Sequence, residues 1–262
     1  MNNTVIKTVE ILKLIAANKN GMSLSQIVKA LELPKSTVFN ILHTLVAMNM
    51  LHVEDGPIPV YRLGIESLKV GLAYLNSNSL DSAARPVLSR LSIETNETTF
   101  MSVRSGAANA IYVMKCLSGS DYQTVFSVGA TRNLLSIAMG KAMLATMSEE
   151  EVRSIIQPEM FLVCNLPAIY DIESLIDFLH RTRETGYVVD ATSENPMFAA
   201  SAAAPVLNMD GELVAAISIV IMHDPRNMDR VHALGRKIAD AAMEISRSLG
   251  YTGDTLFPLF AQ

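Results

Sequence analysis

The stretch from Leu24 to Asn49, LSQIVKALELPKSTVFNILHTLVAMN, constrains the fold of this chain more than any other. Its second half has a helical pattern with one apolar side and one side of mostly small or hydrogen-bonding residues. The apolar positions are Val38, Ile41, Leu42 and Leu45, and the opposite positions are Ser36, Phe39, Asn40, His43 and Ala47. Pro34 follows a short helical segment ending at Leu31, and proline suits the first turn of a new helix. The pattern predicts a helix-turn-helix.

The second of these helices, Lys35 to Met48, is predicted to enter the major groove of DNA, as such helices do. The net charge of −5 argues against a nucleic-acid partner for the chain as a whole. The first 64 residues, however, hold six basic and four acidic side chains. This weakly basic head attracts DNA only weakly, so we expect two or more heads to bind one DNA together.

The rest of the first 64 residues fits a winged helix-turn-helix. Residues 4–17 form a helical stripe that predicts a packing helix, with Thr4 as its N-cap. Ser23 and Gln26 have the spacing of a capping box for the next helix. Short β-prone runs at 51–53 and 60–63 flank a turn sequence and predict a hairpin. The tip of this wing is expected to touch phosphate or the minor groove.

Beyond residue 64 the pattern predicts a linker helix and then an α+β domain. Apolar periodicity predicts a helix at 65–76, and the polar run 76–79 marks a boundary near Leu80. Another helix is expected to open at Asp81. Strands are predicted at 98–104, 110–116, 123–128, 187–191, 199–207 and 212–221, and helices at 137–146, 148–156, 172–184 and 227–249. Turn signals at 104–106 and 208–211 join strands into hairpins, which predicts an antiparallel sheet flanked by helices.

Several function classes are disfavoured. Cys116 and Cys164 have no CxxC spacing, which argues against a structural zinc site or a disulfide framework. Gly140-Lys141 lacks the spacing of a phosphate-binding loop, and the histidines lack metalloprotease spacing, so we expect neither an enzyme nor a cofactor. A metal site assembled only in three dimensions stays open. No secretion signal or apolar run of about 20 residues is present, which predicts a cytoplasmic protein without a membrane partner.

Five segments, in this order and spacing, resemble the IclR family of bacterial transcriptional regulators. They are LPKSTVFNILHTL (33–45), YRLG (61–64), LLSIAMGKAMLA (134–145), GYVVD (186–190) and AAAPVLNMDGELVAAISI (202–219). The resemblance implies a winged helix-turn-helix at 1–64, a linker helix at 65–80, a GAF-like effector-binding domain at 81–250 and a tail at 251–262. It also implies a homodimer or a dimer of dimers. The expected function is a transcriptional repressor whose binding to double-stranded operator DNA changes with a small organic acid.

The resemblance also implies which residues bind DNA. Ser36 and Thr37 would contact phosphate at the helix N-terminus, where free N–H groups favour an anion, and Lys35 would contact phosphate as well. The family commonly has arginine at the position of Asn40. Asparagine favours adenine where arginine favours guanine, so we expect a different base preference here. His43 is expected to reach a base or a phosphate, and Phe39 to be partly packed.

For the effector site, the resemblance implies that an acid binds the backbone amides of Ala138 and Met139 at the start of the GKA helix. Its side-chain contributors are Asp190, Ser201, Ser218 and Val220. Cysteine is frequent in the family at Ser201, and some small-acid binders have serine at Val220. Met197 and Phe198 are expected at the pocket mouth.

These departures predict a pocket less polar than a glyoxylate- or pyruvate-type site, and so a larger acid such as a sugar acid or an aromatic acid. We expect Lys141 to be an ordinary exposed helix lysine. A second hypothesis remains open, because the chain has 15 methionines that can fill gaps in a core. In that case the protein is a ligand-independent architectural DNA-binding protein with a self-filled effector pocket.

Overall fold

A computed structural model describes residues 1–54, 56–77, 79–119, 126–164, 166–191, 199–222 and 228–258. The chain divides into two compact units, unit 1 at Met1–Asn78 and unit 2 at Ser79–Gln262. In chain order, unit 1 contains α1 (Asn3–Ala17), β1 (Met22–Ser23), α2 (Leu24–Leu31), α3 (Lys35–Ala47), β2 (Leu51–Glu54), β3 (Val60–Leu63) and α4 (Ile65–Ser77).

Unit 1 is a winged helix-turn-helix, as predicted. The strands form a small antiparallel sheet in the order β1-β3-β2. Its core takes one apolar side from each of the three helices before the wing, and the most buried members are Ile11, Ile15, Ile27, Val38, Leu42 and Leu51. The predicted capping box of α2 is confirmed, since Gln26 N–H donates to the Ser23 hydroxyl and Ser23 N–H to the Gln26 side chain.

The predicted N-cap of α1 is wrong. The cap is Asn2, whose side-chain oxygen accepts the N–H groups of Thr4 and Val5 at 3.0 and 3.4 Å. Asparagine is at least as good an N-cap as threonine, so the helix starts earlier than the apolar pattern suggests. Strand β1 was also not predicted, because two residues are too short for a recognisable alternation.

Gly64, the last residue of YRLG, is required by a close backbone approach. Its N–H donates to Met50 O at 2.8 Å, where the wing returns to the end of α3. A Cβ added at this position would lie 2.2 Å from Asn49 O. Only glycine allows the chain to pass this closely as it leaves the wing and enters α4.

Unit 2 contains the remaining elements. These are α5 (Leu80–Thr95), β4 (Thr98–Ser105), β5 (Asn109–Cys116), β6 (Thr131–Asn133), α6 (Ala138–Leu144), α7 (Glu149–Ile155), α8 (Ile172–Thr185), β7 (Val188–Ala191), β8 (Ala199–Leu207), β9 (Leu213–Met222) and α9 (Met228–Ser248). Short 3-10 helices at Leu134–Ser136 and Pro158–Val163 complete the described structure of this unit. The α+β class with an antiparallel sheet is confirmed.

One curled sheet, in the order β6-β5-β4-β9-β8-β7, organises unit 2. Helices α5 and α9 pack together on one face, where the Thr99 hydroxyl of β4 donates to Leu88 O of α5 at 3.1 Å. Helix α6 covers the other face, where the Ser102 hydroxyl of β4 donates to the sulfur of Met139 at 3.3 Å. Alternate residues of each strand therefore face either the α5–α9 layer or α6.

The strand predicted at 123–128 is wrong in its described part. Residues 126–128 form no strand, and residues 123–125 lie outside the described residues. The edge strand is instead β6, which pairs with 109–111 of β5. Phe126 is held by its carbonyl, which accepts a hydrogen bond from Lys115 Nζ at 3.2 Å, and by its ring, which stacks on Tyr112. An apolar run can therefore pack into the core through one aromatic side chain without pairing with a neighbouring strand.

The segment after α9, predicted as a tail, is packed against the domain as far as residue 258. Phe257 is 2% exposed and belongs to the core of unit 2, together with Leu256. The Tyr251 hydroxyl donates to Thr255 O at 2.5 Å. Across the described ranges, no helix has the length and apolarity that crossing a membrane requires.

Replacing Gly64 with alanine is expected to destabilise unit 1 by about 1–3 kcal/mol, because the new methyl group overlaps backbone. Gly71 is the matched control, since it lies in α4 with no atom within 4 Å of an added Cβ. Gly71→Ala should leave stability unchanged or raise it by about 1 kcal/mol. Urea unfolding followed by circular dichroism measures both. Equal effects of the two variants would contradict the close-approach explanation.

Candidate functional site

Helix α3 has the two sides that its sequence predicts. Val38, Ile41, Leu42 and Leu45 are buried, whereas Lys35, Ser36, Asn40 and His43 are exposed and Thr37 is half-buried. No side chain caps the N-terminus, because the N-cap residue is Pro34. The first N–H groups of the helix are therefore open to an outside acceptor. A phosphate oxygen suits these N–H groups, because the N-terminus of a helix favours an anion.

The centre of this surface is formed by Asn40 and His43. The backbone carbonyl of Asn40 accepts the Thr44 hydroxyl at 2.9 Å, and the Asn40 residue is exposed. An amide in this position can donate to and accept from one adenine edge. Phe39, expected to be partly packed, is 50% exposed, and its ring lies 6.3 Å from that of His43. Phe39 lies on the side opposite the core, and unit 1 offers its ring little cover.

The wing contributes less charge than its sequence suggests. Arg62 of β3 forms an ion pair with Glu54 at 2.7 Å, and its guanidinium also donates to Lys19 O at 2.7 Å. These contacts hold Arg62 against the fold. At the predicted tip, Asp55 lies outside the described residues, and Ile58 is exposed.

The predicted effector residues of the sheet lie close together in unit 2. Asp190 of β7 pairs with Ser201 of β8, and Ser201 pairs with Val220 of β9, so the three form one row across adjacent strands. Ser218 lies two residues from Val220 on the same face, next to Phe100 of β4. Ser218 is buried, whereas Asp190, Ser201 and Val220 are half-buried.

Helix α6 lies over this face because of Gly140. A Cβ at Gly140 would lie 2.1 Å from Leu134 O, so only glycine permits the helix to pack onto the preceding 3-10 turn. Ala138 and Met139 at the helix start are buried, and the N-cap residue Ile137 supplies no side-chain acceptor. A ligand bound to their amides would therefore be enclosed by protein.

Lys141 contradicts its expected place on the surface. It is 0% exposed, and its ammonium group lies 2.7 Å from the carboxylate of Asp190. The physical reason is that α6 is apolar on every side, so it is buried all round and its one charged residue must find a partner inside. The segment IAMGKAMLA already carried this signal, because it has no polar face.

An aromatic cluster, also missed from the sequence, occupies the β4–β5 half of the same face. The rings of Tyr112 and Phe126 stack at 5.6 Å, and Phe100 meets both edge-on. Two cations border the cluster, since Lys115 lies over Phe100 at 5.6 Å and Arg132 lies over Phe126 at 5.5 Å. Lys141 in turn balances the charge of Asp190. The predicted mouth residues Met197 and Phe198 lie outside the described residues.

A cleft of about 390 Å³ elsewhere in unit 2 is less suited to a polar ligand. Its charged lining residues are occupied within the protein. Arg153 pairs with Glu173 at 2.7 Å. Ser174 N–H donates to the Asp171 carboxyl at 2.9 Å. This hydrogen bond and one with the Ser174 hydroxyl lower the pKa of Asp171. The described residues contain no group of three or more His, Cys, Asp or Glu side chains arranged to hold a metal ion.

Lys141→Met should lower the free energy of unfolding by about 3–5 kcal/mol, because it leaves the Asp190 carboxylate buried without a cation. The double variant Lys141→Met with Asp190→Leu should recover most of this loss. Lys237→Met, on an exposed position of α9, is the control and should change stability by no more than about 0.5 kcal/mol. Urea unfolding measures all three. A Lys141→Met loss no larger than that of the control would overturn the buried-pair assignment.

Comparisons with known proteins agree in both units. Residues 4–55 match the model of the IclR helix-turn-helix domain, and residues 72–247 match that of the bacterial transcriptional regulator IclR C-terminal domain. The chain is 28% identical to the transcriptional regulator KipR of Bacillus subtilis, covering 96% of this chain and 98% of KipR. It is 29% identical to the transcriptional repressor AllR of Escherichia coli, covering 92% of this chain and 88% of AllR.

A solved structure gives the same answer for the fold. The crystal structure of Pseudomonas aeruginosa HmgR superposes with a TM-score of 0.74 at 25% sequence identity, covering 95% of this chain and all of HmgR. The family models together account for most of the chain, in the order helix-turn-helix and then C-terminal domain. This chain belongs to the IclR family of bacterial transcriptional regulators.

Proposed function

We propose that this chain is a cytoplasmic transcriptional repressor whose operator binding is modulated by a small organic acid. It acts as a homodimer or a dimer of dimers, because one weakly basic head has too little charge for useful affinity. The observation that carries the effector half of the proposal is the buried Lys141–Asp190 pair beside Ser201. The pair neutralises Asp190, whose charge would otherwise repel a carboxylate.

Three features of the site favour an anion. The amides of Ala138 and Met139 stand at a helix start that no side chain caps, and N–H groups there prefer a negatively charged acceptor. Ser201 and Ser218 add hydroxyls on the facing sheet. Lys115 adds a cation on the same face, as the partner of Phe100 in the β4–β5 ladder. In this proposal an acid bridges α6 and the sheet.

The DNA half of the proposal depends on α3. Lys35, Ser36 and Thr37 contact phosphate and set the position of the helix, and Asn40 and His43 meet base edges. Asparagine at position 40 directs the helix towards adenine at that base step. His52 and the wing add contacts to the backbone of the DNA at most, since Arg62 is tied to Glu54 and Lys19.

A second candidate function is a ligand-independent architectural protein with a self-filled pocket. The observation that favours it is that side chains of the protein already occupy part of the α6 face. Met139 accepts the Ser102 hydroxyl, and Phe126 stacks on Tyr112. The polar residues Asp190 and Ser201 on adjacent strands favour the ligand-responsive function. A pocket filled by the protein's own apolar side chains would not need serines or a buried ion pair.

Asn40→Ala should reduce discrimination at one operator base pair by about 1–3 kcal/mol, because it removes the only amide on the exposed side of α3. Lys35→Ala should instead weaken binding to all sequences alike and flatten the salt dependence by about one counterion. Band-shift assays on the chain's own upstream DNA and on its single-base variants measure both. Asn40→Ala with full sequence preference would contradict the base-reading role.

An acid that binds unit 2 should raise the melting temperature of the full chain, and this shift tests the effector. The probes are glyoxylate, lactate, gluconate, benzoate and 4-hydroxybenzoate. Ser201→Ala should weaken binding of any acid that responds by about tenfold or more, as expected for a lost hydrogen bond to a charged group. Ser89→Ala, a half-buried serine of α5, is the matched control and should bind normally. A chain that responds to none of the five acids would favour the ligand-independent function.

A further inference from the structure

Phe39 is the one large apolar side chain that helix α3 leaves exposed. The structure describes every residue of α3, and its other large apolar residues are buried or half-buried. Phe39 keeps 50% of its surface exposed. A single exposed apolar residue is common on protein surfaces, so the exposure alone indicates no role. The position of the ring on α3 is the more informative observation.

The ring lies on the surface that the proposed function assigns to DNA. Phe39 stands four residues before His43, and Asn40 stands three residues before it. Both spacings place side chains next to each other on one face of a helix. The structure shows this for Phe39, whose ring lies 6.3 Å from that of His43 with 30° between the two planes. An α3 that brings Asn40 and His43 to base edges therefore brings Phe39 there as well.

The position of Phe39 along α3 supports the same assignment. It is the fifth residue of the helix, which runs from Lys35 to Ala47. In a helix-turn-helix, the N-terminal residues of the second helix are the ones that contact base edges in the major groove. Phe39 is therefore placed for a base contact.

The major groove offers an apolar ring one well-matched partner. The exposed edges of the four bases carry hydrogen-bond donors and acceptors, and thymine adds an apolar C5-methyl group. A phenyl ring that covered a donor or acceptor would remove its water without replacing the hydrogen bond, which is unfavourable. Against a methyl group, both apolar surfaces leave water together, which is favourable. The ring of Phe39 therefore favours thymine over the other three bases.

We propose that Phe39 is a specificity-determining residue of the DNA surface, and that its ring contacts the C5-methyl group of a thymine. This inference rests on the proposed function, in which α3 enters the major groove. It adds a thymine to the adenine that Asn40 contacts. An A·T base pair presents adenine N6 and N7 and the thymine methyl group in the same groove. Phe39 and Asn40 together thus favour an A·T-rich step in the operator.

The test compares thymine with deoxyuridine, whose base differs from thymine only in lacking the methyl group. The probe is the duplex that the full unaltered chain selects from a random-sequence pool, with its thymines replaced one at a time. At one thymine or more, the replacement should weaken band-shift binding by about fourfold, as expected for one methyl group lost from an apolar contact. Phe39→Ala should bind the thymine and deoxyuridine duplexes equally.

Met48→Ala is the matched control. It shortens another exposed apolar side chain, at the C-terminal end of the same helix. This variant should keep the preference for thymine. The ratio of the two affinities also separates a base contact from a structural role, because a variant that only disturbs the fold weakens binding to both duplexes by the same factor.

Three results would count against the inference. A thymine preference that stays unchanged in Phe39→Ala would overturn it. Equal binding of the thymine and deoxyuridine duplexes by the unaltered chain at every position would also overturn it, and would leave the proposed function intact. Failure of the unaltered chain to select any duplex from the pool would overturn the proposed DNA binding and the inference together.

Discussion

The buried ion pair between Lys141 and Asp190 is the interaction on which the candidate effector site depends. It joins α6 to β7, with 2.7 Å between the Lys141 ammonium group and the Asp190 carboxylate. Removing either partner leaves a charge inside unit 2, where solvation is poor. In the proposed site the pair also sets the local charge, because an unpaired Asp190 would repel a carboxylate bound at the start of α6.

One glycine in each unit allows a close backbone contact that a residue with a Cβ cannot make. Gly140 brings α6 down onto Leu134, so that Lys141 can reach the sheet. In unit 1, Gly64 lets the wing end against Asn49 and α4 begin at once. Gly140 lies in the motif GKA and Gly64 in the motif YRLG. The motif is visible in the sequence, and the close approach explains why it is needed.

The two candidate sites differ in how their residues are brought together. The DNA surface lies on one helix, so Lys35, Asn40 and His43 are neighbours through helical periodicity alone. The effector site takes residues from α6 and from β4, β5, β7, β8 and β9, which only the sheet order unites. A ligand at the second site would touch several elements at once. Such a site suits a sensor, because binding can bias the relative positions of elements that pack together.

The sequence by itself determined most of the elements and the exposed side of α3. Periodicity predicted α3 and its buried side, capping chemistry predicted the start of α2, and hairpin signals predicted β4 with β5 and β8 with β9, because these depend on neighbours in the chain. Only the tertiary structure decided the burial of Lys141, its pairing with Asp190 and the position of Tyr112. The first two depend on packing between elements far apart in sequence. The third depends on one extra residue, Val113, in β5. Both faces of a buried strand are apolar, so its sequence shows no alternation that a bulge could interrupt.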